Sequence, residues 1–465
     1  MPAHVVDSLF FQDLFGSAAM RGVFDDLNLL QKWLDYEAAL ARAEARLGLI
    51  PLEAAAEITR QAQAEYMDTA AIKAGIDKTV HPLVSMIWQL SHRCQGDAGR
   101  YVHWGATTQD VMDTALILQL RDALNLFEQA TRQMIDTLRE LATRYRNTLI
   151  AGRTHGQQAL PTTFGYKIAV WLAEMGRHQV RLGQVRERLL VGEFGGAVGT
   201  LAGLAESDQI DGLAVQAALM EELGLGISPI AWHTSRDHIV EFAMLVGMLA
   251  GLMGRIANEV IQLQKQELGE VEEPFEMGKV GSSTMPQKRN PMLCETVLTL
   301  ARLCREKTAT AVDTLIYHEH ERDWAAFQME WAYLPELCIM AHGAMEITLR
   351  VLRGWHVYPE RMRRNLDVTY GLLLAERVMF ALGQHVGRQE AHDMVYECAM
   401  DAVAKGQPFI ESLLADGRVT AYLDRPTLES LLDPEQYTGL AGVFVDRVLA
   451  YTEPHPSSGR GGLSR

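Results

Sequence analysis

Cysteine is scarce: five residues, at positions 94, 294, 304, 338 and 398, with no Cys-x-x-Cys pair among them. A set so odd and scattered excludes a disulfide framework and predicts reduced thiols in a cytoplasmic protein. Positive charge is also in deficit, with 43 Lys plus Arg against 59 Asp plus Glu and a formal charge of −16. The basic field expected of a nucleic-acid binder is missing. An anionic substrate must instead be held by a local cluster of donors, since the field of the whole chain repels it. Long apolar runs are missing too. The most apolar stretch, Phe242 to Met253, is short and flanked by Glu241 and Arg255, which predicts a buried core helix and no membrane partner. The first residues, Met-Pro-Ala-His-Val-Val-Asp, lack a basic region followed by an apolar run, so no secretion signal is expected.

Proline is absent between Pro82 and Pro161, between Pro161 and Pro229, and between Pro229 and Pro274. Period-2 alternation of β-branched residues is nearly absent throughout. Within the proline-free gaps, apolar residues recur at three- and four-residue steps. Leu116, Leu120, Leu124, Phe127, Met134, Leu138 and Leu141 do so, as do Ile168, Trp171, Leu172, Met175 and Leu182. Leu245, Met248, Leu249, Leu252, Ile256, Val260 and Leu263 form a third series, and Met244, Met248 and Met253 read as core packing. The pattern predicts an all-α fold with three very long helices, over roughly 111–146, 162–191 and 236–270, as in an elongated bundle shared between subunits. A chain of 465 residues can bury a large core and divide into several domains. The expected division is 1–110, an N-terminal helical domain; 111–355, the central long-helix bundle; and 356–465, a C-terminal helical domain. Ser, Gly and Pro from Pro454 onward predict a disordered tail.

Three polar segments interrupt this helical chain. The densest, Gly281-Ser-Ser-Thr-Met-Pro-Gln-Lys-Arg-Asn-Pro291, packs hydroxyls, an ammonium and an amide among a glycine and two prolines. Asn290 as N-cap and Pro291 as first helical residue would place it at a helix N-terminus, where backbone N–H groups favour an anion. The loop reads as a clamp for a carboxylate. Tyr101-Val-His-Trp-Gly-Ala-Thr-Thr-Gln-Asp110 supplies Thr107, Thr108 and Gln109 as donors, with Asp110 able to cap the first long helix. Gly152-Arg-Thr-His-Gly-Gln-Gln158 sets Thr154 and His155 between glycines, suggesting close packing around a site. His318 and His320 stand two apart, a spacing that does not align metal ligands on one helix face, and no metal is expected.

Together the three segments, in this order, resemble the fumarase/aspartase superfamily, which includes adenylosuccinate lyase, argininosuccinate lyase and 3-carboxy-cis,cis-muconate cycloisomerase. The resemblance covers nearly the whole chain and implies a three-domain fold whose long helices build the core of a homotetramer. Each active site would collect the three segments from three subunits. By the same resemblance Ser282 is the general base, removing the proton beside a substrate carboxylate. Lys288, Asn290, Thr107 and Thr108 hold the dianionic aci-carboxylate that results. His155 helps protonate the leaving group, Glu295 pairs with it, and His103 is a second active-site histidine. Gln109, Thr154, Gln157, Ser283 and Met285 are further substrate-binding positions, and Arg322 a second anion contact. No organic cofactor is implied.

Where adenylosuccinate lyases carry a Ser and an Arg for the nucleotide phosphate, this chain has Phe327 and Trp331, and the N-terminal Arg-Tyr pair of that branch is missing. Ala18-Ala-Met-Arg21, the segment ending at Leu40, Leu118-Gln-Leu-Arg-Asp122, Phe194-Gly-Gly-Ala197 and Glu330-Trp331 look more like the cycloisomerase branch. His155 argues the other way, because bacterial cycloisomerases commonly lack it. The resemblance therefore implies a lyase that splits a C–N or C–O bond β to a carboxylate and releases fumarate or an analogue. The alternative is lactonisation of 3-carboxy-cis,cis-muconate. A catalytically inert structural homologue is disfavoured by the intact Ser282, Lys288, Asn290 and His155 set.

Overall fold

The computed structural model describes residues 4–205, 211–275, 284–285, 287–316 and 318–453. The 454–465 tail, with Ser282 and Ser283 of the polar loop, lies outside them. The fold is all-α apart from short strand pairs. Its long helices are Thr108–Arg144, Phe164–Leu189, Asp237–Gln264, Met292–Asp313 and Trp324–Gly354. The first three fall on the segments that the periodicity marks, within a few residues at most ends.

Residues cluster into two compact units: Met1–Thr131, His178–Gly254 and Thr296–Glu346 form one, and Arg132–Arg177, Arg255–Glu295 and Ile347–Arg465 the other. In the first unit the Asp26–Arg46 helix starts where the Asp25 carboxylate accepts the Leu27 amide. It stops at Gly48, whose left-handed backbone (φ 76°) lets the Leu49 amide reach back to the Glu44 carbonyl. Its apolar face, including Leu30, Leu34 and Leu40, packs in one core with Val111, Ala115 and Leu118 and with Leu219 and Met220 of the Gly212–Leu223 helix.

The Asp237–Gln264 helix is long and apolar enough to cross a membrane by composition alone. Phe242, Val246, Leu249 and Met253 are wholly buried in it, as the sequence predicts. Met244 and Met248 are not core residues: they are 41% and 44% exposed, one turn apart.

In the second unit, Leu149–Thr154 and Gln157–Thr163 form an antiparallel hairpin with a bulge at Gly152. The sequence reading did not anticipate it. Its two-residue turn is His155-Gly156, both at positive φ (51° and 76°), which matches the twist of a tight hairpin. Arg153 fixes the hairpin through two bonds to the buried Glu270 carboxylate, 2.7 and 2.8 Å, and Asn365 Nδ2 donates to the same group. Ala151 closes the apolar side against Leu366, Leu373 and Leu374.

One buried acid in the first unit is uncompensated. Glu44 is wholly buried, and neither carboxyl oxygen has a hydrogen-bond partner. Burial, and then the nearby Glu37, push it up to about 8. An unfolded chain ionises this group near 4.5. Between those values the folded state holds the extra proton, so stability falls as pH rises, by about 1.4 kcal/mol per unit. Glu44→Gln keeps the shape and removes the proton exchange. Thermal melts at pH 5, 6.5 and 8 should show a shallower decline for the variant and a higher midpoint than wild type at pH 8; parallel curves would refute this account.

Candidate active site

The first polar segment is organised by one carboxylate. Asp110, wholly buried in the first turns of the Thr108–Arg144 helix, accepts four N–H bonds. Oδ1 takes the Gly195 amide at 3.0 Å and His233 Nε2 at 2.8 Å. Oδ2 takes the Thr107 amide at 2.9 Å and the Gly196 amide at 3.0 Å. The expected cap is therefore present, and it also ties the Thr107-Thr108 turn to the 194–197 glycine turn. Gly196 has φ 72°, which favours glycine there.

Around this turn the structure gathers several predicted residues. Arg322 donates to Thr107 Oγ1 at 3.3 Å and to the Ala197 carbonyl at 3.0 Å. His103 Nδ1 lies 2.7 Å from Glu37 Oε1. Burial opposes the charged ring, but the Glu37 charge and hydrogen bond, with Asp110, hold it above its ordinary value. A residue that the sequence reading missed completes the group. His81 Nε2 lies 3.2 Å from Thr108 Oγ1, and His81 Nδ1 accepts the Val84 amide at 3.3 Å. That amide makes Nδ1 the unprotonated nitrogen, so Nε2–H donates to Thr108 and leaves the threonine hydroxyl proton for a ligand. Burial, and then the charge of His103, lower the His81 value.

Backbone conformation supplies the signal that could have found it. Six described non-glycine residues have positive φ, and His103, His155, His320 and Val80, the neighbour of His81, are four of them. Non-glycine residues in this conformation concentrate at functional sites.

Two positions do not behave as the sequence suggests. Gln109, expected among the substrate donors, is 4% exposed, and its amide bonds Asp113 at 3.1 Å and the His233 carbonyl at 2.9 Å. It faces the core because one helical step past Thr108 turns the side chain inward. Phe327 is 2% exposed beneath the buried Arg236, whose guanidinium sits 5.4 Å from its ring. Arg236 pairs with Asp113 and Glu330, so Phe327 packs an internal ion cluster. Trp331 stays 43% exposed and meets Trp324 edge-on at 5.6 Å.

The other segments lie in the second unit. Thr154, His155 and Gln157 are exposed at the hairpin tip, without the close packing expected from the flanking glycines. Met285, Lys288 and Asn290, together with Lys265, Arg289 and Arg361, line part of a cavity of about 960 Å³. Arg289 pairs with Glu272 at 2.8 Å. The helix after the loop begins at Met292, so Pro291 precedes its first residue and Asn290 stands one place further out than predicted. The helix end does hold an anion, but an internal one. The carboxylate of buried Glu273 accepts the Leu293 and Cys294 amides at 3.0 and 3.2 Å. Glu295 is exposed one turn in.

Among the described residues, Asp110, Glu193 and His233 alone have metal-ligand spacing, with their ligand atoms within 4.8 Å of one another. Protein donors close this cluster. The Asp110 oxygens are fully engaged, and Glu193 accepts the Trp232 amide at 2.8 Å. Burial, with Asp113 next, pushes Glu193 up to about 9.

Residues 16–304 match the family described as Lyase, and residues 371–448 the one described as Adenylosuccinate lyase C-terminus. The chain belongs to the fumarase/aspartase superfamily. It is 43% identical to the 3-carboxy-cis,cis-muconate cycloisomerase of Pseudomonas aeruginosa, over 96% of this chain and 98% of that protein. It is 41% identical to the N-acetyl-S-(2-succino)cysteine lyase of Dickeya dadantii, over 97% and 98%. Among solved structures, the 3-carboxy-cis,cis-muconate lactonizing enzyme of Pseudomonas putida matches with a TM-score of 0.90 and 40% identity, over 96% of this chain and 99% of that one. The fumarase/aspartase fold and a lyase or cycloisomerase activity of this superfamily follow for this chain.

If Asp110 sets the geometry of this superfamily member's Thr107-Thr108 turn, Asp110→Asn replaces one acceptor oxygen by a donor that faces other N–H groups. Urea unfolding should register a loss of roughly 2–4 kcal/mol, and wild-type stability in the variant would contradict this role.

Proposed function

We propose that this superfamily member is a lyase acting on a succinyl-type carboxylate, cleaving a carbon–heteroatom bond β to that carboxylate and releasing fumarate or an analogue. The observation that carries the reading is His155, an imidazole held exposed at the tip of a rigid hairpin, where it can reach a leaving group on another subunit. Ser282, as base, takes the proton from the carbon beside the carboxylate. The electron pair moves into an aci-carboxylate, whose charge Thr107, Thr108, Arg322, Lys288 and Asn290 suit by their chemistry. The pair then forms the new C=C bond as the leaving group departs with the bonding electrons. His155, oriented by Glu295, supplies the leaving group with a proton, directly or through water.

Each subunit would give one segment to a given site, which requires an assembly. Met244 and Met248, exposed one turn apart on the long Asp237–Gln264 helix, support a homotetramer built on the long helices. The scattered free cysteines support a cytoplasmic location.

The second reading is cycloisomerisation of 3-carboxy-cis,cis-muconate, favoured by the 43% identity to an enzyme of that name. The same carbanion chemistry serves both, with the nucleophile or leaving group an oxygen of the same molecule in the second case. Fumarate release from N-succinyl and S-succinyl compounds, followed by absorbance beside a carboxymuconate assay, separates them. Turnover of the muconate alone would sink the lyase reading.

In whichever assay works, Ser282→Ala should lower kcat on the order of 10²–10⁴-fold with an unchanged melting temperature. Undiminished turnover would remove Ser282 from the role of base. His155→Gln should cost most with poor leaving groups and least with good ones, and an equal loss across a leaving-group series would reassign the acid.

A further inference from the structure

Behind His103 lies a group of acids that the elimination itself does not use. Glu37, on the Asp26–Arg46 helix, is 1% exposed, and its Oε1 is 2.7 Å from His103 Nδ1. An ionised carboxylate can only accept, so Nδ1 carries the proton of this contact and Nε2 lies on the far side of the ring. The His103 side chain is 18% exposed, so the ring retains an open edge. Its backbone is held in the left-handed region at φ 64°, four residues before Thr107.

The other ionisable groups around the ring do not compete for this bond. Asp110, on the Thr108–Arg144 helix, is turned to its four N–H donors. Glu44, behind Glu37 on the same helix, keeps its proton to about 8. Tyr36 and Glu193 are wholly or almost wholly buried and are both pushed upward, each first by burial, so neither brings a negative charge at neutral pH. His81, before the Val84–Arg93 helix, has its Nε2–H on Thr108. Among the described residues, Glu37 is thus the one carboxylate bonded to the ring.

We propose that Glu37 is a positioning residue that holds His103 by Nδ1 as an imidazolium, whose Nε2–H grips a substrate carboxylate beside Thr107 and Thr108. The two histidines then have opposite tasks. His103 contributes fixed charge, while neutral His81 orients a hydroxyl. The proposal rests on the carboxylate-elimination reading for its ligand, but the state of the imidazoles does not.

Hydrogen–deuterium exchange at imidazole C2, read by peptide mass spectrometry on the full-length protein without ligand, titrates each histidine separately. In wild type His103 should titrate above His81. In Glu37→Gln the His103 midpoint should fall by about one unit or more, and that of His81 should rise as the neighbouring charge is lost. Competitive inhibition by fumarate should then weaken about tenfold or more at pH 7.5, with a smaller change in kcat. An unmoved His103 midpoint in Glu37→Gln overturns the proposal, as does a wild-type His103 that titrates below His81. The second criterion needs no variant and decides the matter even where Glu37→Gln fails to fold. Wild-type protein that binds no fumarate and splits no succinyl compound would overturn the elimination reading and the carboxylate grip together. The ligand-free midpoints would still judge the Glu37–His103 pair.

Discussion

Everything arranged around the Thr107-Thr108 turn depends on Asp110 having no spare hydrogen-bonding capacity. Two main-chain segments and a histidine converge on its two oxygens. A buried carboxylate is tolerable only when donors surround it, and four N–H groups meet that demand. The consequence is rigidity. The Thr107 amide is engaged inward, so its hydroxyl side faces outward to Arg322. The 194–197 turn is fixed by the same bonds, which sets the Ala197 carbonyl that holds the other arm of Arg322. Arg322 is thus placed by segments that the wholly buried Asp110 holds in position.

The second unit follows a different rule. Its contributions stand at tips: His155 on a two-residue turn, Lys288 and Asn290 beside an open cavity. What is rigid there lies one layer back. The Arg153 fork on Glu270 and the Glu273 carboxylate at the start of the Met292–Asp313 helix anchor the exposed residues to buried charge. In both units, then, a buried acid bonded by the chain lies one layer behind the predicted site residues. The opening loop's many donors look like an anion clamp in sequence, yet the amides at the helix start already serve Glu273.

Much of this was legible in the sequence, for identifiable reasons. The long helices could be read because apolar residues at three- and four-residue steps persist over many turns without proline. The hairpin could not, because Leu149–Thr163 contains Gly152, Gly156 and Pro161 and no clean alternation, and its register comes from Arg153 meeting Glu270 far away in sequence. The superfamily motifs name Thr107, Thr108, His103 and Arg322, and the structure places them near one another. Gln109 stands next to two donors in sequence, and only the helix phase reveals that it points inward to Asp113 and the His233 carbonyl. His81 was passed over because Thr79-Val80-His81-Pro82 has the composition of an ordinary turn, and its value lies in a Val84 amide that fixes the tautomer. Phe327, one of the two positions that set this chain apart from the adenylosuccinate lyase branch in sequence, is buried against Arg236.

The global charge of −16 poses a difficulty for an enzyme of carboxylates, and the interior near Thr107 resolves it locally. Six buried acids are described in this part of the first unit. Glu44 and Glu193 retain protons to about 8 and about 9, so at neutral pH they add no negative field. Asp113 shares Arg236 with Glu330. Asp110 is surrounded by N–H dipoles, and Glu37 is matched by His103. Burial, which makes each carboxylate expensive to ionise, thereby clears the space of uncompensated negative charge. Arg322, bonded to Thr107, then faces acids that are protonated, paired or surrounded by N–H donors. Local proton occupancy, as well as the count of basic residues, thus sets the field near Thr107 in a strongly acidic chain.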